Sequence, residues 1–375
     1  MTHPIKPDRS DRHYPEPDSA DSRPERRASS RPLTSRQFWI QSPGRGEIVE
    51  REIPGQMPGH LRVRTAWSGI SRGTESLVFR GEVPDSLHDS MRAPFQEGEF
   101  PAPVKYGYCS VGRIEGDPER AGEWVFCLYP HQDLYWVPPE AVTSIPEAVP
   151  PARAVLAANL ETALNGVWDG QPGPGDRIAV VGAGVVGLLT AWICGRIPGT
   201  RVTAVDRNPA REPVARALGM DFALPEELRR ADCDLVFHAS GSSGGAAEAL
   251  ALAGIEATVV ELSWFGSRGV TLPLGEGFHS RRLTLRSSQV GRIPPDHAAR
   301  WDFERRRQVV LELLASDELD ALITGESPFA ELPEVLARLS GDGAAALCHR
   351  VVYPGADDRR PPGPDSISSG PSHSR

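Results

Sequence analysis

Two regimes of hydrophobic patterning divide the chain. From residue 34 to about 155, short apolar or alternating runs (61–65, 111–114, 124–128 and 134–137) are broken by Gly and Pro. That is the pattern of a β-rich unit with tight turns. Further on, RIAVV (177–181) is a β-branched stretch of the kind buried in a parallel sheet, and a helical stretch follows to about residue 197. More strands are predicted at 202–205, 234–239, 257–262 and 283–286, with helices over 211–219 and 246–253. Strands alternating with helices predict an α/β unit with a doubly wound parallel sheet. A helix at about 298–315 and a strand near 345–353 are expected to return to the first unit.

The run IAVVGAGVVGLLTAWICG (178–195) carries no charge over 18 residues, which by length alone admits a membrane-spanning helix. Its internal grammar argues otherwise. PGPGD (172–176) makes a turn, glycines stand at 182, 184 and 187, and the strand 202–205 ends in Asp206. Strand, Gly-rich turn, helix, strand, acid is the order of a dinucleotide-binding βαβ unit. Gly182 permits the tight turn, Gly184 lets the backbone approach a pyrophosphate, and Gly187 lets helix and strand pack closely. With Ala183, Val185 and Val186 they form the expected cradle, because a helix N-terminus offers free N–H groups and partial positive charge. Asp206 is placed to accept from ribose hydroxyls. It favours NAD, since a carboxylate repels a 2′-phosphate, while the adjacent Arg207 could pair with that phosphate and keeps NADP open. Ser240, Gly241 and the segment 263–266 follow predicted strands and are expected to face the cofactor.

Composition narrows the class. At 375 residues, and about 150 per domain, two or three domains are expected. Hydrophobic residues at 39% and charged residues at 24% exclude a fibrous or polytopic membrane protein. A net charge of −9 disfavours nucleic acid and anionic membrane as partners. Five cysteines (109, 127, 194, 233 and 348) are scattered without a CxxC, so no disulfide framework is expected and a reducing, cytoplasmic setting fits. Residues 1–33 and 355–375 mix Pro, Ser, Arg and Asp with almost no large apolar side chain. Both read as disordered tails, and the first lacks the apolar core of an export signal.

Longer phrases carry a family resemblance: GISRGTE (69–75), YGYCSVG (106–112), NLETALN (159–165) and the unit around Gly182. Together they resemble the medium-chain dehydrogenase/reductase superfamily, whose best-known members are zinc alcohol dehydrogenases. ISRGTE, YPHQD, NLETALNGVWDG and FHSRRLTLRSSQVG are similar, more narrowly, to its bacteriochlorophyllide dehydrogenase-like branch. The resemblance covers nearly all of 34–354. It implies a GroES-like catalytic domain (34–160 with 294–354), a Rossmann domain (161–293), an active site in the cleft between them, a small-molecule substrate and a homodimer.

The family pattern departs at the metal. Where zinc members carry Cys and His, this chain matches with Ser71 and Tyr108, and the third ligand position falls near Ala158. The four-Cys structural zinc lobe is missing as well. Ser, Tyr and Ala do not make a zinc site, so no metal is expected; a rearranged set of Cys109, His131 and Glu75 is the alternative. Without zinc a side chain must handle the proton. Tyr108 is expected in the cleft as hydrogen-bond donor or acid/base, or as mere filler of the vacated space. His131 is a substrate or catalytic contact, or a structural hydrogen-bonder. Thr74 and Glu75 are positioning groups, or a helix cap with its first-turn acid. Glu161 and Thr162, read as opening a helix, are cofactor contacts or caps.

The cations His279, Arg281, Arg282 and Arg286 are candidates for an anionic group, and 305–307 reads as a solvent face. Cys127 and Cys194 read as inert core. The segment 83–100 looks like an insertion able to shape the pocket. The expected function is a zinc-independent, NAD(P)-dependent oxidoreductase passing hydride between nicotinamide C4 and an alcohol or carbonyl. A quinone- or enoyl-type C=C reductase and a non-catalytic NAD(H)-binding protein are the alternatives.

Overall fold

The computed structural model describes residues 32–228, 232–341 and 346–356. The tails expected at 1–33 and 355–375 fall almost wholly outside the described residues.

Six strands form one parallel sheet. Across it run Asp221–Ala223, Arg201–Val205, Arg177–Val181, Cys233–His238, Ala253–Glu261 and Thr284–Ser287, and all five pairings are parallel. In chain order that is 3-2-1-4-5-6, the dinucleotide-binding arrangement. Ile178, Val180, Val236, Phe237 and Val260 are at most 1% exposed, as expected of strands covered on both faces. The uncharged run splits at Gly182 into the strand Arg177–Val181 and the helix Val185–Cys194. No helix among the described residues is long and apolar enough to cross a membrane.

The first part of the chain is β-rich, as its short runs predict. One sheet carries, in order, Ile323–Pro328, Cys348–Val352, Leu61–Ile70, Ser110–Glu115, Trp124–Cys127 and Val142–Ser144, with Leu134–Val137 also paired to Leu61–Ile70. The chain therefore returns after the parallel sheet, and Cys348–Val352 runs antiparallel to Leu61–Ile70. A smaller sheet holds the hairpin Leu33–Ser42 and Arg45–Ile53 with two short strands, Val104–Lys105 and Glu97–Gly98.

Two helices differ from expectation. The stretch 298–315 is broken into Pro295–Ala298 and Phe303–Leu313. Asp302 adopts an extended backbone and accepts the Arg305 N–H at 2.8 Å, which starts a new helix there. The helix carrying Glu161 and Thr162 begins four residues earlier, at Ala157. That helix, Ala157–Gly170, joins the two parts: one hydrophobic cluster runs from Trp67 and Trp124 through Leu160 and Leu164 to Leu188, Trp192 and Val310.

Candidate functional site

The Gly-rich turn has the geometry its sequence requires. Gly182 has φ +107°, where a side chain is strained, and Gly184 is the N-cap of Val185–Cys194. A Cβ on Gly187 would lie 1.9 Å from the Gly182 carbonyl oxygen, so helix and strand close on each other only with glycine there. A Cβ on Gly184 would meet nothing within 4 Å and would fill the open space in front of the helix. Ala183 is fully buried; Val185 and Val186 are half-buried on the first turn. Asp206 is drawn into the same turn: its carboxylate accepts the N–H of Ala183 at 2.8 Å and of Asn208 at 2.9 Å. Arg207 is exposed beside it, and Arg211 lies within its field. A helix N-terminus, an open cradle and an acid at the end of the second strand fit a dinucleotide.

A cleft of about 550 Å³ lies at the carboxyl edge of the parallel sheet, against the β-rich part. Thr74, Tyr108, Ala158 and Thr162 are on its walls; so are Leu87 and Ser90 to Pro94, from the segment suspected of being an insertion. Glu261 to Trp264 and Ser287 to Gly291 supply the opposite side. The indole N–H of Trp264 is buried there without a hydrogen-bond partner. Such a donor is costly to leave unsatisfied, so it is poised for a ligand acceptor. Sequence reasoning placed the loop but gave Trp264 no role.

Two of the positions matched to zinc ligands, Ser71 and Tyr108, join with the neighbouring Asn159 in a chain of hydrogen bonds. Asn159 Nδ2 donates to Ser71 Oγ at 3.2 Å, and Ser71 in turn hydrogen-bonds Tyr108. Burial pushes the Tyr108 phenol well above the ordinary tyrosine value. Tyr106, Cys109 and Glu75 add to this, and the Ser71 hydrogen bond opposes it. Taking the Asn159 N–H on one lone pair, Ser71 still has its own proton to give to the phenolic oxygen, an arrangement that leaves the Tyr108 proton free to turn to the cleft. Ala158 offers no donor atom at all. These residues do not suit zinc, and among the described residues no group of three or more His, Cys, Asp or Glu could hold a metal. Of the rearranged set, Cys109 is buried, and burial, then Glu75, drives its thiol well above its usual value, while His131 and Glu75 are hydrogen-bonded to each other.

Two expected catalytic residues sit elsewhere. His131 is 1% exposed and bonded at both ring nitrogens, Nδ1 with Ser68 Oγ at 2.7 Å and Nε2 with Glu75 Oε2 at 2.8 Å. Glu75 accepts the Ser71 N–H with its other oxygen at 2.7 Å. Neither residue is on the cleft wall. Both are held in the interior behind Ser71, His131 as a hydrogen-bonder and Glu75 on the first turn of its helix. Thr74 does line the cleft.

Thr162 lines it too, with its hydroxyl turned back onto the Ala158 carbonyl at 3.0 Å. Glu161 is no cap; its carboxylate pairs with Arg306 at 2.9 Å. Arg306, read as solvent-facing, is 2% exposed and also donates to the Val290 carbonyl at 2.7 Å. Arg281, Arg282 and Arg286 have partners away from the cleft wall. Arg281 binds the carbonyls of Leu250, Ala251 and Ala253, Arg282 pairs with Glu256, and Arg286 pairs with Asp169. His279 has an ordinary position outside the cleft wall. Ser240 is exposed at the sheet edge, and the Gly241 N–H is taken by Ser263 Oγ at 3.1 Å.

No protein-family model matches the chain. It is 30% identical over 308 residues to 5-exo-hydroxycamphor dehydrogenase of Pseudomonas putida, covering 66% of this chain and 80% of that protein. It is 28% identical over 299 residues to 2-desacetyl-2-hydroxyethyl bacteriochlorophyllide A dehydrogenase of Rhodobacter capsulatus, covering 74% and 85%. Starvation-sensing protein RspB of Escherichia coli matches at 28% over 208 residues, 49% of this chain and 61% of RspB. The solved alcohol dehydrogenase rspB of E. coli CFT073, complexed with NADH, superposes with a TM-score of 0.67 at 21% identity, over 85% of this chain and 99% of that one. With these relatives and this arrangement of sheets, the chain belongs to the medium-chain dehydrogenase/reductase superfamily, as an NAD(P)-dependent enzyme of the zinc alcohol dehydrogenase-like type.

Proposed function

We propose that the chain transfers hydride between nicotinamide C4 and a small or medium alcohol or carbonyl substrate, and that it does so without zinc. What supports this reading most is the hydrogen-bond chain Asn159 to Ser71 to Tyr108, with Tyr108 on the cleft wall and with Ser71 and Tyr108 at positions the resemblance matches to zinc ligands. The nicotinamide, when bound, supplies the hydride donor or acceptor. Gly182, Ala183, Gly184, Val185, Val186 and Gly187 hold the diphosphate, and Asp206 takes the adenosine ribose. Thr162, Ser240 and Gly241 face the nicotinamide half.

Tyr108 keeps its proton and donates a hydrogen bond to the substrate oxygen as charge grows there. Ser71 supports the phenolic oxygen from behind. Glu75 and His131 act as positioning groups, holding Ser71 through its N–H. Thr74 and Trp264 line the chamber, and the indole N–H offers a second donor to a bound acceptor. NAD is the preferred cofactor, because the Asp206 carboxylate repels a 2′-phosphate; Arg207 and Arg211 beside it leave NADP as the competitor.

A GroES-like domain of 34–160 with 294–354 and a Rossmann domain of 161–293 would divide the chain at the cleft. Five free, buried thiols support a cytoplasmic setting. The family supports a homodimer.

The test is to follow nicotinamide absorbance with NADH or NADPH against ketones, quinones and enones. Ketone turnover that falls about 10²-fold in Tyr108→Phe supports the reading. Ketone turnover unchanged in Tyr108→Phe removes Tyr108 from the chemistry. Turnover confined to enones favours C=C reduction.

A further inference from the structure

We propose that Ser240, His238 and Glu261 form an activated-serine centre that gives the chain an acyl-transfer activity toward small carboxylic esters, separate from hydride transfer. The three side chains stand at the carboxyl ends of two neighbouring parallel strands. Glu261 Oε2 lies 2.6 Å from His238 Nδ1, and His238 Nε2 lies 2.6 Å from Ser240 Oγ. Nucleophile, base and orienting acid in that order are recognised by geometry and role rather than by sequence position.

The hydrogen-bond directions follow from the partners. A carboxylate only accepts, so Nδ1 carries the ring proton and Nε2 offers its lone pair to the Ser240 hydroxyl. Glu261 is fixed by accepting the Ser263 N–H at 2.7 Å with its other oxygen. His238 is fully buried, and its ring lies beside Phe265 with centroids 6.1 Å apart. The base is thus rigid and the nucleophile exposed.

Charge developing on Ser240 is also provided for. The Ser242 hydroxyl lies 2.9 Å from Ser240 Oγ and the Ser242 N–H 3.3 Å from it. The ten-residue helix Ser243–Leu252 begins at once, with its partial positive charge at that end. The N–H groups of Ser243 and Gly244 belong to the first turn, where no helical carbonyl can accept them, and they are the donors for an acyl oxyanion. Residue 245 must be glycine for this arrangement: a Cβ there would lie 2.1 Å from Ser240 Oγ and 2.9 Å from His238 Nε2.

In the reaction Ser240 Oγ adds to the ester carbonyl carbon and its proton passes to His238 Nε2. The bond from that carbon to the alkoxy oxygen breaks, and the alkoxide leaves with the same proton. Water then adds to the seryl ester, again giving a proton to His238, and the acid departs as Ser240 regains its hydroxyl. Ester and water become acid and alcohol, with no change of oxidation state.

The full chain is incubated with an alkyl fluorophosphonate, digested, and the adduct located by mass spectrometry; p-nitrophenolate release from p-nitrophenyl acetate is followed in parallel. The expected result is an adduct on Ser240, with release abolished in Ser240→Ala and slowed about 10²-fold or more in His238→Gln. Gly245→Ala is expected to lose the adduct as well. Absence of an adduct on Ser240 in the unsubstituted chain overturns the proposal, independently of how any variant folds. Equal p-nitrophenyl acetate turnover in Ser240→Ala overturns it too. Saturating NADH should slow labelling; an adduct formed with no NADH protection supports the serine centre and counts instead against the placement of the dinucleotide.

Discussion

Glu75 and His131 meet at 2.8 Å with both side chains at most 3% exposed. The same carboxylate reaches back to the Ser71 N–H, and Ser71 in turn supports Tyr108. The pair thus anchors Ser71, and through it Tyr108 on the cleft wall. Glu75→Ala removes the acceptor from two buried donors at once. The expected loss is about 3 kcal/mol of unfolding free energy, read from urea midpoints. Glu75→Gln retains an acceptor for Ser71 and should lose less. A loss below about 1 kcal/mol in Glu75→Ala would mean the pair does not hold this region.

Gly184 and Gly187 should separate binding from folding. A Cβ at 187 runs into the Gly182 carbonyl at 1.9 Å, so Gly187→Ala must push helix and strand apart, at about 1–3 kcal/mol. At 184 the same atom meets no protein atom within 4 Å, and the backbone angles suit alanine. Gly184→Ala should therefore melt near the unsubstituted chain yet bind NADH at least tenfold more weakly by fluorescence titration. Unimpaired binding in Gly184→Ala would mean the diphosphate does not approach this turn.

Arg306 and Glu161 pair at 2.9 Å across the helices Phe303–Leu313 and Ala157–Gly170, both nearly devoid of solvent. Burial draws the Arg306 guanidinium below its usual value, and the Glu161 charge opposes that shift. Arg306→Met alone leaves a buried carboxylate unpaired and should cost about 3–5 kcal/mol. Removing both charges, in Arg306→Met with Glu161→Leu, should recover much of that loss. Equal destabilisation in the single and double variants, measured by chemical denaturation, would show that packing rather than charge is at stake.

How much could be read in advance depended on locality. The strand, Gly-rich turn, helix and Asp206 were legible because each is set by residues within about 30 positions of each other, through turn sterics and helix-end chemistry. Tyr108 was legible as a cleft residue only through the family pattern, and its link to Ser71 and Asn159 joins three distant segments. The pairing of His131 with Glu75 was not legible for the same reason: they stand 56 residues apart, and only the fold closes them on each other. Arg306 stands in a charged run, and only the packing of its helix against Ala157–Gly170 buries it. The broken helix near 301 was missed because Asp302 reads as one more polar position until its side chain is seen capping Arg305.

Burial raises the phenols of Tyr106, Tyr108, Tyr129, Tyr135 and Tyr353, five of the chain's six tyrosines. The sign of the consequence follows from proton binding. Above the unfolded-state value, about 10, the unfolded chain has released these protons and the folded chain still holds them. Stability is then complete below about pH 10 and falls as pH rises beyond it. Absorbance at 295 nm should show the five phenols appearing together with loss of far-ultraviolet ellipticity, not before it. For Tyr108 the same shift means that the phenol stays protonated, and able to donate, across the neutral and mildly alkaline range. Carbonyl reduction should show no loss attributable to Tyr108 up to about pH 10. A Tyr108→Phe-sensitive alkaline limb centred below pH 9 would show that the phenol ionises in the folded protein and acts as a base instead.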